Sequence, residues 1–192
     1  MSKRKILLLV LVLITVGLAT RFFFLIPDFP HLPNFTAIGA VALFGAYHLK
    51  KKQALIVPIA ILWASDILLN NLVYAEYFTS FSLFGDPWVY LGFIAIILIG
   101  FGLLKKLSVK NIVLASLIGA FAFYLITNFA VWLTSAAYPK SFAGLLECYA
   151  VAIPFFRNAL LGNIFYSFVL FGAYDLITQK RLSFLSSKVE MN

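Results

Sequence analysis

The chain has 192 residues, of which 63% are hydrophobic and 11% charged, and its 15 Lys and Arg against 7 Asp and Glu leave a formal charge of +8. That much apolar surface exceeds what one soluble core can hide, which excludes an ordinary soluble domain and marks an integral membrane protein. The positive charge would suggest nucleic acid in a soluble domain, but twelve of the fifteen basic residues form four clusters that border apolar runs, where they orient helices and meet anionic lipid.

The clusters are Lys3-Arg4-Lys5, Lys50-Lys51-Lys52, Lys105/Lys106/Lys110 and Lys180/Arg181/Lys188. The first apolar run, residues 6–26, follows the first cluster; a signal peptide ending near Gly17-Leu18-Ala19 is the alternative, but the run continues through Phe22-Phe23-Phe24-Leu25-Ile26 to a spanning length. Residues 35–49 are shorter and are expected to extend into the Pro-rich loop before them or to lie buried within protein. Residues 53–74, 88–104, 111–133 and 155–177 complete six predicted spans in one domain, 1–192. The expected fold is therefore an all-α, polytopic, six-helix membrane bundle.

An even number of spans returns the chain to its starting side, and the basic clusters then place both termini and two short loops in the cytoplasm of a multi-pass cell (inner) membrane protein. The outer segments are residues 27–34, 75–87 and 134–154, which hold Asp28, Glu76, Asp86 and Glu147. In the last of these, Phe142, Leu145, Leu146, Tyr149 and Ile153 recur at helical spacing after Ser141, a suitable N-cap. This predicts an outer amphipathic helix, lying in the interface or simply packed on its neighbours.

Polar side chains within the spans need partners or a wet cavity. Asp66 lies eight residues before Tyr74, about 12 Å from the outer end of its helix, with Asn70 one turn above it. Arg21 near the end of the first helix, Asn128 on the fifth, and Arg157, Asn158 and Asn163 on the sixth fall in the same outer half. Trp63 and Trp132 stand one turn from Asp66 and Asn128. Such a set suits an outward-opening pocket for a small planar or heterocyclic solute, with Arg21, Asp66, Asn70, Asn128, Trp132, Arg157 and Asn158 as candidate contacts. The alternative is structural: Asp66 pairs with Arg21 or Arg157 and the Asn residues bond across helices. Two Arg against one Asp favour a solute with a carboxylate or phosphate, although Arg157 could instead snorkel to the interface.

Other residues read as ordinary. Asp175 near Lys180 suggests a surface ion pair, His31 and His48 lie at opposite ends and cannot share a metal, and Ala42/Ala46 and Ala115/Gly119 have the small-xxx-small spacing of close helix packing. Cys148 is the only cysteine, which leaves no internal disulfide or cysteine metal cluster. The HExxH, G-x-S-x-G and G-x-x-x-x-G-K-[ST] motifs are absent, so no enzyme activity and no cofactor are expected.

The phrases Leu32-Pro33-Asn34-Phe35-Thr36-Ala37-Ile38-Gly39-Ala40, Ser65-Asp66, Asn128-Phe129-Ala130-Val131-Trp132, Cys148-Tyr149 and Pro154-Phe155-Phe156-Arg157-Asn158 resemble an uncharacterised family of six-span bacterial proteins assigned to transport. That family looks similar to the substrate-capturing S subunits of energy-coupling-factor (ECF) vitamin transporters. The resemblance implies an S-subunit-like bundle, a vitamin-like small-molecule solute bound near the outer face, and uptake coupled to a separate membrane subunit and ATPases. The chain departs from S subunits at residues 6–14, which are bulky aliphatics where an Ala-xxx-Ala motif is common. A non-transporting scaffold is the alternative function, and an intramembrane enzyme using Asp66 as a base is the third.

Overall fold

The computed structural model describes residues 3–26 and 32–178. Asp28 and His31, and the C-terminal cluster of Lys180, Arg181 and Lys188, lie outside the described residues. The described chain is helical with no strand, and contains seven α-helices: α1 (Lys3–Arg21), α2 (Ile38–His48), α3 (Lys51–Leu68), α4 (Pro87–Leu103), α5 (Val109–Thr134), α6 (Phe142–Val151) and α7 (Ile153–Ile177). Three helical segments are long and apolar enough to cross a membrane: Lys51–Val73, Val109–Thr134 and Ile153–Ile177. The apolar parts of α1, α2 and α4 are shorter.

Local chemistry sets the helix ends. Asp86 caps α4 by accepting from the Trp88 backbone N–H at 2.8 Å, with Pro87 in the first turn where its missing N–H costs nothing. Ser108 caps α5 by accepting from Asn111 N at 3.2 Å, and Ser141 caps α6 by accepting from Gly144 N at 3.2 Å. The helix predicted after Ser141 thus exists, with the expected cap. Its buried side sets Gly144 against Pro139 of the preceding loop and Cys148 against α5, while Phe142, Leu146 and Val151 stay exposed.

Two ends differ from the sequence expectation. α1 stops at Arg21 and gives way to a 3₁₀ turn, Phe23–Leu25. α2 begins only at Ile38, because Asn34 adopts a left-handed backbone (φ 67°) and the Thr36 N–H bonds back to Asn34 O at 3.0 Å. Asn tolerates that conformation better than most residues. With 11 residues, α2 is about 16 Å long.

This short helix is the centre of the bundle. Residues 38–45 are all buried, and α1, α3, α4, α5 and α7 surround them. Small residues let the neighbours close in: a Cβ on Gly100 of α4 would come within 2.7 Å of Ala46 Cβ, and Ala42 and Ala115 are fully buried. Large apolar side chains instead cover the outside, among them Leu7, Leu8 and Leu11 on α1, Leu98 on α4, Phe121 on α5 and Phe165 on α7. Apolar residues all round a helix suit a lipid surround.

At the end of the bundle where α2 stops, His48 is enclosed by the rings of Phe44, Tyr47, Phe171 and Tyr174, with centroids 4.2–5.7 Å away. Asp175 is here as well. It is 1% exposed, which corrects the expectation of a surface residue: this face of α7, with Leu170, Phe171 and Gly172, turns inward. Lys50, Lys51, Lys52, Lys105, Lys106 and Lys110 are exposed at this same end.

Candidate functional site

At the opposite end, where α2 begins too low to fill the bundle, lies a cavity of about 260 Å³. Its polar wall is made of Arg21, Asn34, Thr36, Thr127 and Asn163. The apolar wall includes Leu62, Val89, Ile96 and the rings of Phe93 and Phe123, whose centroids are 5.1 Å apart at 59°. Helical spacing explains the set. Ala120, Phe123 and Thr127 share one face of α5, and Ala159 and Asn163 stand one turn apart on α7.

Residues 32–37, just before α2, form the roof, and they are fastened on both sides. Thr20 Oγ1 accepts from Ala37 N at 2.9 Å, and Asn158 Nδ2 donates to Pro33 O at 3.1 Å. Gly162 lets this segment lie directly on α7, since a Cβ there would meet Phe35 Cα and Thr36 N at 3.3 Å. Asn163 is only 5% exposed, yet no protein group among the described residues hydrogen-bonds its amide. Its amide lies across Gly39, where an added Cβ would stand 2.0 Å from Asn163 Oδ1.

Beside the cavity, Arg21 Nη1 donates to Asp66 Oδ1 at 2.6 Å and to Ser65 Oγ at 2.7 Å, with Leu62 O at 3.4 Å. Tyr90 of α4 donates its hydroxyl to the other carboxylate oxygen, Oδ2, at 2.9 Å. Gly85 crosses so near that a Cβ would fall 2.1 Å from Oδ2. Asp66 is therefore enclosed by three elements, and its side chain is 9% exposed against 20% for Arg21.

The seven candidate residues divide sharply. Arg21 lines the cavity and Asp66 stands behind it, holding its guanidinium. Asn70 falls in a single π-helical turn, Leu69–Val73, closed by Tyr74 N donating to Leu69 O. Its amide donates to Ser82 Oγ at 3.2 Å, on the loop before α4 and not on the cavity wall. Its neighbour Asn71 exchanges two 2.8 Å bonds with the backbone of Ser82, which pins the loop that carries Gly85.

Asn128 donates to Tyr124 O on its own helix at 2.8 Å, and its carbonyl accepts from Cys148 Sγ at 3.4 Å. Trp132 Nε1 donates to Pro139 O at 2.9 Å, while Lys140 Nζ donates to Trp132 O and Ser135 O. Trp132 thus ties down the loop before α6, while the Asn128 carbonyl fastens α6 itself to α5, together with Tyr124 Oη donating to Tyr149 O and Tyr149 Oη to Leu125 O. Burial pushes the Cys148 thiol and the Tyr149 phenol up from their ordinary pKa values. Arg157 is exposed and outside the cavity, and Trp63 is 40% exposed on the outer surface of α3. Asn158 acts on the roof rather than on the cavity wall.

Sequence reasoning passed over Asn34, Thr36 and Thr127, and noted the depth of Asn163 without selecting it. Asn34 and Thr36 were within reach, since they lie in the first phrase of the family resemblance. Among the described residues no group of three His, Cys, Asp or Glu side chains could hold a metal.

The fold and site define an all-α bundle with a polar-walled cavity at one end. The chain belongs to the family of unknown function DUF6580, which matches its residues 1–185. No curated protein and no solved structure matches the chain.

Proposed function

We propose that this is a six-span cell-membrane protein that captures a small organic, vitamin-like solute in the cavity from the outer side for uptake, in the manner of an ECF S component. The observation that carries the reading is the buried, unbonded Asn163 amide lining a cavity that also holds Arg21. The amide of this largely buried residue is open to the cavity rather than sealed from it, so a ligand can offer it both hydrogen bonds in a site already formed. The cavity is slightly below the usual range of roughly 300–1,000 Å³ for small-molecule sites, which limits the solute to modest size.

The topology supports the direction of capture. Lys50, Lys51, Lys52, Lys105, Lys106 and Lys110 are exposed at the end remote from the cavity, and such clusters stay cytoplasmic. The cavity then faces outward and both termini are inside. Release inward would fall to a separate coupling subunit and ATPases, as the resemblance to S subunits implies.

A second reading, a non-transporting scaffold, has its own support in the Arg21–Asp66–Tyr90 cluster, which ties α1, α3 and α4 together. A catalytic base at Asp66 gains no support, because both carboxylate oxygens are engaged. The deciding experiment is a thermal-shift panel of vitamins, nucleobases and amino acids against the purified protein, with Ala159→Phe as the cavity-filling control. Solute capture predicts at least one ligand that raises Tm in the native chain and not in Ala159→Phe. A panel with no stabilising ligand would favour the scaffold.

A further inference from the structure

The sequence favours an anionic solute because two Arg residues face one Asp in the outer half. The structure changes that balance. Arg157 is exposed and does not line the cavity, and Arg21, the one charged side chain in the lining, is matched by Asp66 at 2.6 Å. Every other polar group of the wall, from Asn34, Thr36, Thr127 and Asn163, is neutral. The cavity and its ion pair carry no net charge. An anion entering it would give up hydration without an unbalanced cation to receive it.

What the wall does offer is hydrogen bonding of both kinds. Asn163 has a free carbonyl and a free NH₂ side by side, and Arg21 spends only Nη1 on protein, leaving the Nε and Nη2 donors. Thr127 donates its hydroxyl proton to Phe123 O at 2.9 Å and so faces the cavity as an acceptor. Phe93 and Phe123 supply flat apolar surface. Resting on the solute-capture reading, we infer that the cavity takes an uncharged planar solute with an amide or amide-like ring edge, a donor beside an acceptor. Asn163 pairs with that edge through two antiparallel hydrogen bonds, and the free Arg21 N–H groups serve a second carbonyl or ring nitrogen.

Matched probes test the charge directly: benzamide against benzoate, and nicotinamide against nicotinate, at pH 7.5, where the acids are ionised. With the amide at ten times its Kd, Tm should rise by about 3 °C, and the matching acid should leave it unchanged. Asn163→Leu should abolish the amide shift, as should the nearly isosteric Asn163→Asp if the Leu variant folds poorly. Asp66→Asn leaves Arg21 unbalanced and should reverse the order, so that the acids stabilise more than the amides. An acid that stabilises the native chain as well as its amide would overturn the inference while leaving solute capture standing. So would a shift by some other panel ligand that depends on Ala159 but with both amides inert. If no ligand of any kind shifts Tm, solute capture itself fails and the inference with it.

Discussion

Asp66 shows how one side chain can be picked out from sequence while its role stays open between two readings: it pairs with Arg21, as the structural alternative has it, and does not line the cavity. Its carboxylate lies near the C-terminal end of α3, and it faces Arg21 and Tyr90 rather than the cavity. Asp66→Asn would leave the Arg21 charge only 20% exposed and unbalanced. Breaking a fully buried pair costs about 3–5 kcal/mol, so a loss of roughly 2–3 kcal/mol is expected here, measured by unfolding in detergent. Position along a helix follows from counting residues, and it was legible. Facing was not, because one residue of offset turns a side chain by about 100°. Thr127 faces the cavity while Asn128, next to it, bonds within its own helix. The π turn at Leu69–Val73 adds a register change that no 3.6-residue count contains, and Asn70 within it bonds to Ser82 of the following loop.

At the scale of elements, helix existence was legible from apolar runs and caps, and the boundaries shifted where the chain does something particular. Ser141 is the clearest success, a cap inferred from one residue and seen bonded to Gly144 N. Ser141→Ala should destabilise by about 1 kcal/mol, read as a lower Tm, and should loosen α6 without closing the cavity, which α6 does not line. The late start of α2 was not legible as such, since it depends on the left-handed turn at Asn34 and on contacts to Thr20 and Asn158 that are distant in sequence. The polar roof of the cavity follows from those same contacts.

For the whole molecule, the proposed topology places the loop between α5 and α6 outside. Cys148 is a poor reporter of this, because it is 2% exposed and its thiol pKa is raised by burial, so little reactive thiolate forms at neutral pH. A cysteine at the exposed Ala136, in a Cys148→Ala background, should react with a membrane-impermeant maleimide in intact cells. The native Cys148 should react only slowly, and faster as pH rises. Labelling of Ala136→Cys only after lysis would invert the proposed orientation.

The shortness of α2 also has an electrical side. The hydrocarbon core of a bilayer is about 30 Å thick, and the central helix fills only about 16 Å of depth below the cavity. In the proposed orientation the membrane voltage would fall mainly across that lower half, where a unit charge moving through 100 mV changes energy by about 2.3 kcal/mol. A neutral solute would cross either half without electrical work, so any voltage dependence of uptake would come from charges that the protein or a coupled ion moves through the lower half and not from the solute.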